Sequence, residues 1–254
     1  MPEEIRIPEP STEMSISDKF VGILSSPGEV YQTIVGTEPN TKNWAIPLVL
    51  TIIIGIIFTF VVFSQPAIQD QMTETQNKAM QKSVEEGKMT QEQMDRAQEM
   101  NPAKPGSPMF LIFGSVGVVL VMAISLFLYS LVYFLAGKFV LHSAVPYSKV
   151  LEVNGLALYV AAVVSLLTMV MVVAMGSIHA SLSPALLVSD FDPTNKQHKI
   201  LAALNLFEFW NLFVISVGLS KVWNVTIGKS LGVVGGVWLV WNIIKLFVGA
   251  SFGM

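Results

Sequence analysis

Apolar residues in this chain gather into five long runs separated by polar segments. The first, residues 44–63, carries no charge over twenty residues. As a helix it is about 30 Å long, enough to cross the apolar core of a bilayer. Pro47 falls in its expected first turn, where a missing N–H costs little. The second run, residues 108–136, is longer and equally free of charge. The third, residues 155–175, ends before Gly176 and Ser177. The fourth, residues 204–223, contains Glu208, and the fifth, residues 231–252, contains Lys245. Runs of this length seldom occur in soluble domains, so the pattern predicts an all-α polytopic membrane protein with five transmembrane helices in one membrane domain.

The segments between the runs carry their own helix signals. Residues 1–43 are polar and acidic, and lack the basic start and short apolar run of a secretory signal. Within them Ile16, Phe20, Ile23 and Leu24 recur at helical spacing behind Ser15 or Ser17 as a cap. Ser26-Pro27-Gly28-Glu29 then reads as a second helix start, with serine as cap and proline at the first position. Val30, Tyr31, Ile34 and Val35 would share one face. Two amphipathic helices in an N-terminal arm follow, either lying on the membrane surface or packing under the bundle. Packing is the favoured reading, because acidity weakens attraction to anionic lipid. Residues 64–107 form a polar segment in which Glu86-Gly87 reads as a stop and Thr90-Gln91-Glu92-Gln93 as a new start. This predicts an extramembrane helical hairpin between spans one and two. Residues 176–203 form a second loop on the same side, in which Asp190, Asp192, Pro193 and Asn195 read as a turn.

Composition agrees with lipid as the solvent. Hydrophobic residues make up 52% of the chain and charged residues 13%, about half the usual 25% of a soluble domain. Mean hydropathy is +0.60. These values exclude a soluble enzyme and a disordered chain, and a net charge of −3 leaves no basic footprint for nucleic acid. Zero cysteines exclude a disulfide framework and a thiolate metal site. Orientation follows from the short loops. Lys138 and Lys149, and then Lys221 and Lys229, face only Glu152. Both loops fall on one side, expected to be the cytoplasm, with the N-terminus. The 64–107 segment and the C-terminus are then expected outside. That segment holds Lys78, Lys82, Lys88, Arg96 and Lys104 against seven acids.

Several stretches resemble the Yip1 domain family in its prokaryotic branch. They are Ser26-Pro27-Gly28-Glu29-Val30-Tyr31, Trp44-Ala45-Ile46-Pro47, Pro146-Tyr147-Ser148-Lys149-Val150-Leu151, and Leu204-Asn205-Leu206-Phe207-Glu208-Phe209-Trp210 running on to Val217-Gly218-Leu219. The resemblance spans roughly residues 20–250. It implies a five-helix integral membrane protein with a cytoplasmic N-terminus, here expected in the cytoplasmic membrane of a prokaryote. Eukaryotic members of the family work in vesicle traffic and associate with prenylated small GTPases and with each other. The Asp-Leu-Tyr-Gly-Pro signature of those members is absent here, and Asn154-Gly155-Leu156 is at best a remnant of their Gly-Tyr-Gly-type motif.

Ionisable groups inside spans are expensive and are functional candidates by default. With spans four and five antiparallel, Glu208 and Lys245 fall at comparable depth, with Asn211 and Asn242 each one turn deeper. The expected arrangement is a ladder, Glu208 with Lys245 and Asn211 near Asn242. It reads as a polar clasp or as an ion, proton or substrate site, while snorkelling without pairing is the third possibility. Gly232 and Gly236 have the spacing of a helix-packing pair, inside the monomer or across a homodimer. Trp44, Trp223 and Tyr147 read as interfacial anchors. His142, His179 and His198 lack ligand spacing, Ser125, Ser165 and Ser216 lack a catalytic partner, and Gly228-Lys229-Ser230 is only a fragment of a phosphate loop. No catalysis, cofactor or metal is expected. The chain reads as a membrane scaffold or adaptor of Yip1 type whose partners are lipid and other membrane proteins. The alternative is a small transporter or channel built around Glu208 and Lys245.

Overall fold

The computed structural model describes residues 14–188, 191–192 and 195–251, the last six by backbone alone. Its regular structure among these residues is helical: α1 (Ile16–Ser25), α2 (Pro27–Ile34), α3 (Lys42–Phe63), α4 (Pro66–Glu85), α5 (Gln91–Glu99), α6 (Pro108–Val140), α7 (Tyr147–Met175), a 3₁₀ turn (Pro184–Leu187), α8 (Lys196–Ala203), α9 (Leu206–Trp223) and α10 (Ile227–Ser251). Five of these, α3, α6, α7, α9 and α10, are long and apolar enough to cross a membrane. They run alternately between an arm end, which carries α1 and α2, and a hairpin end, which carries α4 and α5.

The arm is part of the core. Of the two candidate caps it is Ser15 that caps α1, in a reciprocal capping box with Asp18. Ser26 stands at the N-cap of α2 but its hydroxyl makes no capping bond. Its N–H closes α1 onto the Gly22 carbonyl instead, at 2.7 Å. Ile23, Val30 and Tyr31 are fully buried, and they join residues of α7 and α9 in the main hydrophobic cluster. Phe20 meets Tyr159 of α7 edge-on at 5.2 Å. Val35 remains exposed, because α2 has ended and the chain is extended there. Tyr31 lies against Gly218 of α9, where a Cβ would sit 2.7 Å from the tyrosine ring. Only glycine lets the arm approach α9 this closely.

The tightest helix pair is α3 against α7. It closes at Gly155, where a Cβ would collide with the Trp44 backbone and side chain. Pro47 lies inside α3, not in its first turn. The helix begins at Lys42, two residues before the expected start, so the proline withholds the N–H that would meet the Asn43 carbonyl. That carbonyl faces the Gly155 crossing.

Two other boundaries differ in a consequential way. Helix α7 begins at Tyr147, eight residues before the expected span, so Lys149 and Glu152 are helical and buried rather than loop charges. Their mutual pairing is what allows an apolar helix to absorb them. Helix α10 begins at Ile227 instead of 231, and the expected end at Phe252 lies outside the described residues. At the hairpin end, Glu86 ends α4 and Thr90 caps α5 through a box with Gln93. The loop after α7 is tied to α4 by Gln71, whose amide donates to the Gly176 carbonyl at 2.6 Å and accepts from the Ile178 N–H at 3.2 Å. Asn195 caps α8. Asp190 and Pro193 of the expected turn lie outside the described residues.

Helices α6 and α10 turn wide apolar faces outward, among them Ile112, Phe113, Val121 and Ile124 on α6 and Leu239 and Val240 on α10. Such faces need lipid to cover them. A Cβ at Gly232 or Gly236 would meet nothing within 4 Å. Among the described residues, therefore, neither glycine makes a close helix contact. Trp223 is 6% exposed and packed against Gly137 of α6, so it belongs to the bundle interior. Tyr147 donates to the Phe127 carbonyl at 3.1 Å, and Trp44 meets Phe127 edge-on at 5.5 Å.

Candidate functional site

The ionisable groups held within this apolar bundle lie near its two ends, while Thr51, Ser130 and Ser216 are buried along the spans with their hydroxyls bonded to their own helices. At the arm end the polar groups form one connected network. The Lys149 ammonium bonds the Glu152 carboxylate at 2.7 Å, with the two side chains 9% and 1% exposed. The same ammonium donates to the Ile34 carbonyl at 2.9 Å, the Thr37 hydroxyl at 3.2 Å and the Glu38 carbonyl at 3.4 Å. Glu152 accepts from the Asn43 amide and from the Asn40 N–H. Lys19 of α1 donates to the Asn43 oxygen at 2.8 Å. Three elements are thus fastened through one ion pair on α7: helix α1, the segment after α2, and the start of α3. Tyr31 adds a bond to the Val153 carbonyl at 3.2 Å, and burial pushes its hydroxyl well above the ordinary tyrosine range. A buried ion pair needs such additional bonds to offset the desolvation of both charges.

Sequence reasoning missed this network. Lys149 and Glu152 were counted as loop charges, although their i, i+3 spacing among Val150, Leu151 and Val153 is itself a sign of a charged pair entering an apolar helix.

At the hairpin end Glu208 lies in the first turn of α9. There the unsatisfied N–H groups of the helix favour negative charge, which lowers the cost of a carboxylate near the membrane. Its Oε1 accepts from the Trp238 indole at 2.8 Å. The expected pairing with Lys245 does not form among the described residues. The Glu208–Trp238 bond sets the register of the antiparallel α9–α10 hairpin. Lys245 lies seven residues past Trp238, about 10 Å farther along the helix, and is exposed. The second rung is absent as well. Asn242 donates to the Trp238 carbonyl of its own helix, and the Asn211 amide oxygen is buried without a donor. The register set by the Glu208–Trp238 bond, which the bounds of the apolar runs do not contain, is what separates Lys245 from Glu208.

The loop between α7 and α8 holds an aromatic trio, with Phe191 tilted against His179 at 4.7 Å and stacked on His198 at 5.6 Å. The Asp192 N–H donates to His198 Nδ1 at 2.9 Å. Burial pulls His179 below the ordinary imidazole range. Among the described residues no group of three or more acidic, histidine or cysteine side chains could hold a metal ion.

Five spans, a buried arm and lipid-facing apolar helices define an integral membrane protein of the all-α polytopic class. The Yip1 domain model matches residues 21–250, which take in the second half of α1, α2, the hairpin and the five apolar spans. The chain belongs to the Yip1 domain family. No curated protein and no solved structure matches it.

Proposed function

We propose that this protein is a non-catalytic membrane scaffold or adaptor of Yip1 type, acting through contacts with other membrane proteins. The observation that carries this reading is the fusion of the N-terminal arm to the bundle. Tyr31, Gly218 and the Lys149–Glu152 network hold α1 and α2 as a rigid platform. The platform offers Ser26, Glu29, Gln32 and Thr33 outward, beside the exposed Lys221 of α9. A surface presented on a preformed frame binds with less ordering cost than a flexible tail.

In the proposed orientation the arm faces the cytoplasm of a prokaryotic cell, and the α4–α5 hairpin and the C-terminus lie outside. The Lys221 and Lys229 loop sits at the arm end, in keeping with the excess of basic residues in cytoplasmic loops. A cysteine at Ser83, labelled in intact cells by an impermeant thiol reagent, is the expected outcome; labelling only after the cytoplasm is opened would reverse the orientation. The scaffold reading is tested by affinity purification from detergent-solubilised membranes. Wild type should retain partners that a Glu29→Lys/Gln32→Glu/Thr33→Arg platform variant of equal stability loses. Identical partner sets from the two proteins would refute it.

A further inference from the structure

We propose that the Glu208 region binds the ammonium headgroup of a membrane amphiphile, a role independent of the scaffold reading. The Glu208 carboxylate has one hydrogen-bond donor, the Trp238 indole, and no cationic side chain pairs with it among the described residues. One turn deeper on the same helix face, the Asn211 oxygen is buried without any donor. Two acceptor groups on one face, one of them charged, lack the donor that would complete them, and buried acceptors are normally paired.

Aromatic rings stand on the neighbouring positions: Trp238 bonds the carboxylate, Phe209 follows Glu208 in α9, and Trp241 lies one turn along α10 from Trp238. Trp238 of α10 meets Phe209 of α9 at 5.4 Å. Tyr129 of α6 meets Trp241 of α10 at 6.3 Å. A carboxylate beside aromatic rings is the chemistry that selects an organic ammonium, because ring faces are electron-rich and the carboxylate supplies the counter-charge. A metal ion would need more oxygen ligands than one carboxylate and one amide. Glu208 is half-buried and Trp241 is 42% exposed, so the group is open to the side of the bundle. That side continues into the outward apolar face of α10 at Leu239 and Val240. A ligand arriving there comes from the lipid phase, and its chain would lie along that face.

The test uses the full-length protein in an uncharged maltoside detergent, titrated with dodecyltrimethylammonium below its micellar concentration and read by tryptophan emission. Wild type should show a saturable change. Glu208→Gln, which keeps an acceptor for Trp238, should weaken the apparent Kd at least tenfold. Trp241→Leu removes a ring without touching the Glu208 hydrogen bond and should weaken it severalfold. Equal titrations of wild type and Glu208→Gln would overturn the proposal, as would the same change with dodecyl phosphate. Saturation by tetramethylammonium over the same range would overturn the membrane source of the ligand. Should Glu208→Gln fail to fold, Trp241→Leu decides, and an unchanged affinity in that variant refutes the site.

Discussion

The Lys149–Glu152 pair is the most exacting point in the fold. Lys149→Met removes the ammonium that bonds Glu152, the Ile34 and Glu38 carbonyls and the Thr37 hydroxyl. It leaves a carboxylate that is 1% exposed, with only the Asn40 N–H and the Asn43 amide as donors. Removing one partner of a buried pair costs about 3–5 kcal/mol, because the remaining charge is uncompensated. Glu152→Gln should cost less, about 2–3 kcal/mol, since Lys149 keeps three neutral acceptors. The double variant Lys149→Met/Glu152→Gln has no stranded charge, and should be well more stable than the sum of the two single losses implies. For a chain of this size each kcal/mol corresponds to about 2–4 °C in Tm. The assay is thermal unfolding in detergent, paired with hydrogen exchange over residues 34–43. Destabilisation of the singles by several degrees, faster exchange across that segment and recovery in the double variant are expected. Single variants within about 0.5 kcal/mol of wild type, or strict additivity in the double variant, would refute the account.

Other expectations follow from the same geometry. Gly218→Val drives a side chain into Tyr31 and Val153 and should cost about 1–3 kcal/mol by overpacking. Faster proteolysis of the arm than of the α4–α5 hairpin would report the detachment; unchanged cleavage would place the arm elsewhere. Glu208→Gln and Lys245→Met should be additive in detergent stability within about 0.5 kcal/mol, because Glu208 bonds Trp238. A larger coupling energy would restore the clasp. His179, held below its ordinary 6.5 by burial, binds protons less readily folded than unfolded. Its stabilising contribution is therefore full above that unfolded value, and is lost as pH falls through 6.5 towards the lower folded value. Hydrogen exchange around residues 177–188 should quicken on acidification from pH 7.5 to about 5, and His179→Phe should remove that dependence. A pH response that persists in His179→Phe would assign it to another group.

Much of the architecture was legible along the chain because the bilayer imposes a one-dimensional rule. A backbone crossing lipid must satisfy its own hydrogen bonds, so a charge-free run of about twenty residues reads as a helix wherever it packs. The capping signals at Ser15 and Thr90 and the stop at Glu86-Gly87 are equally local, and each stands where its residues place it. The Ser26-Pro27 start was legible too, though its serine caps nothing with its side chain.

Only tertiary structure decided which polar residues meet. Charge counting treated Lys149 and Glu152 as solvated, because the acceptors that make their burial affordable lie more than a hundred residues away, between Ile34 and Asn43. The Glu208–Lys245 ladder failed for the converse reason. Depth inferred from run boundaries carries an error of about one turn per helix, and pairing requires the register that the α9–α10 hairpin alone sets. A span is written in the solubility of consecutive residues. A partner is chosen by the rotation and offset of packed helices, which no single segment contains.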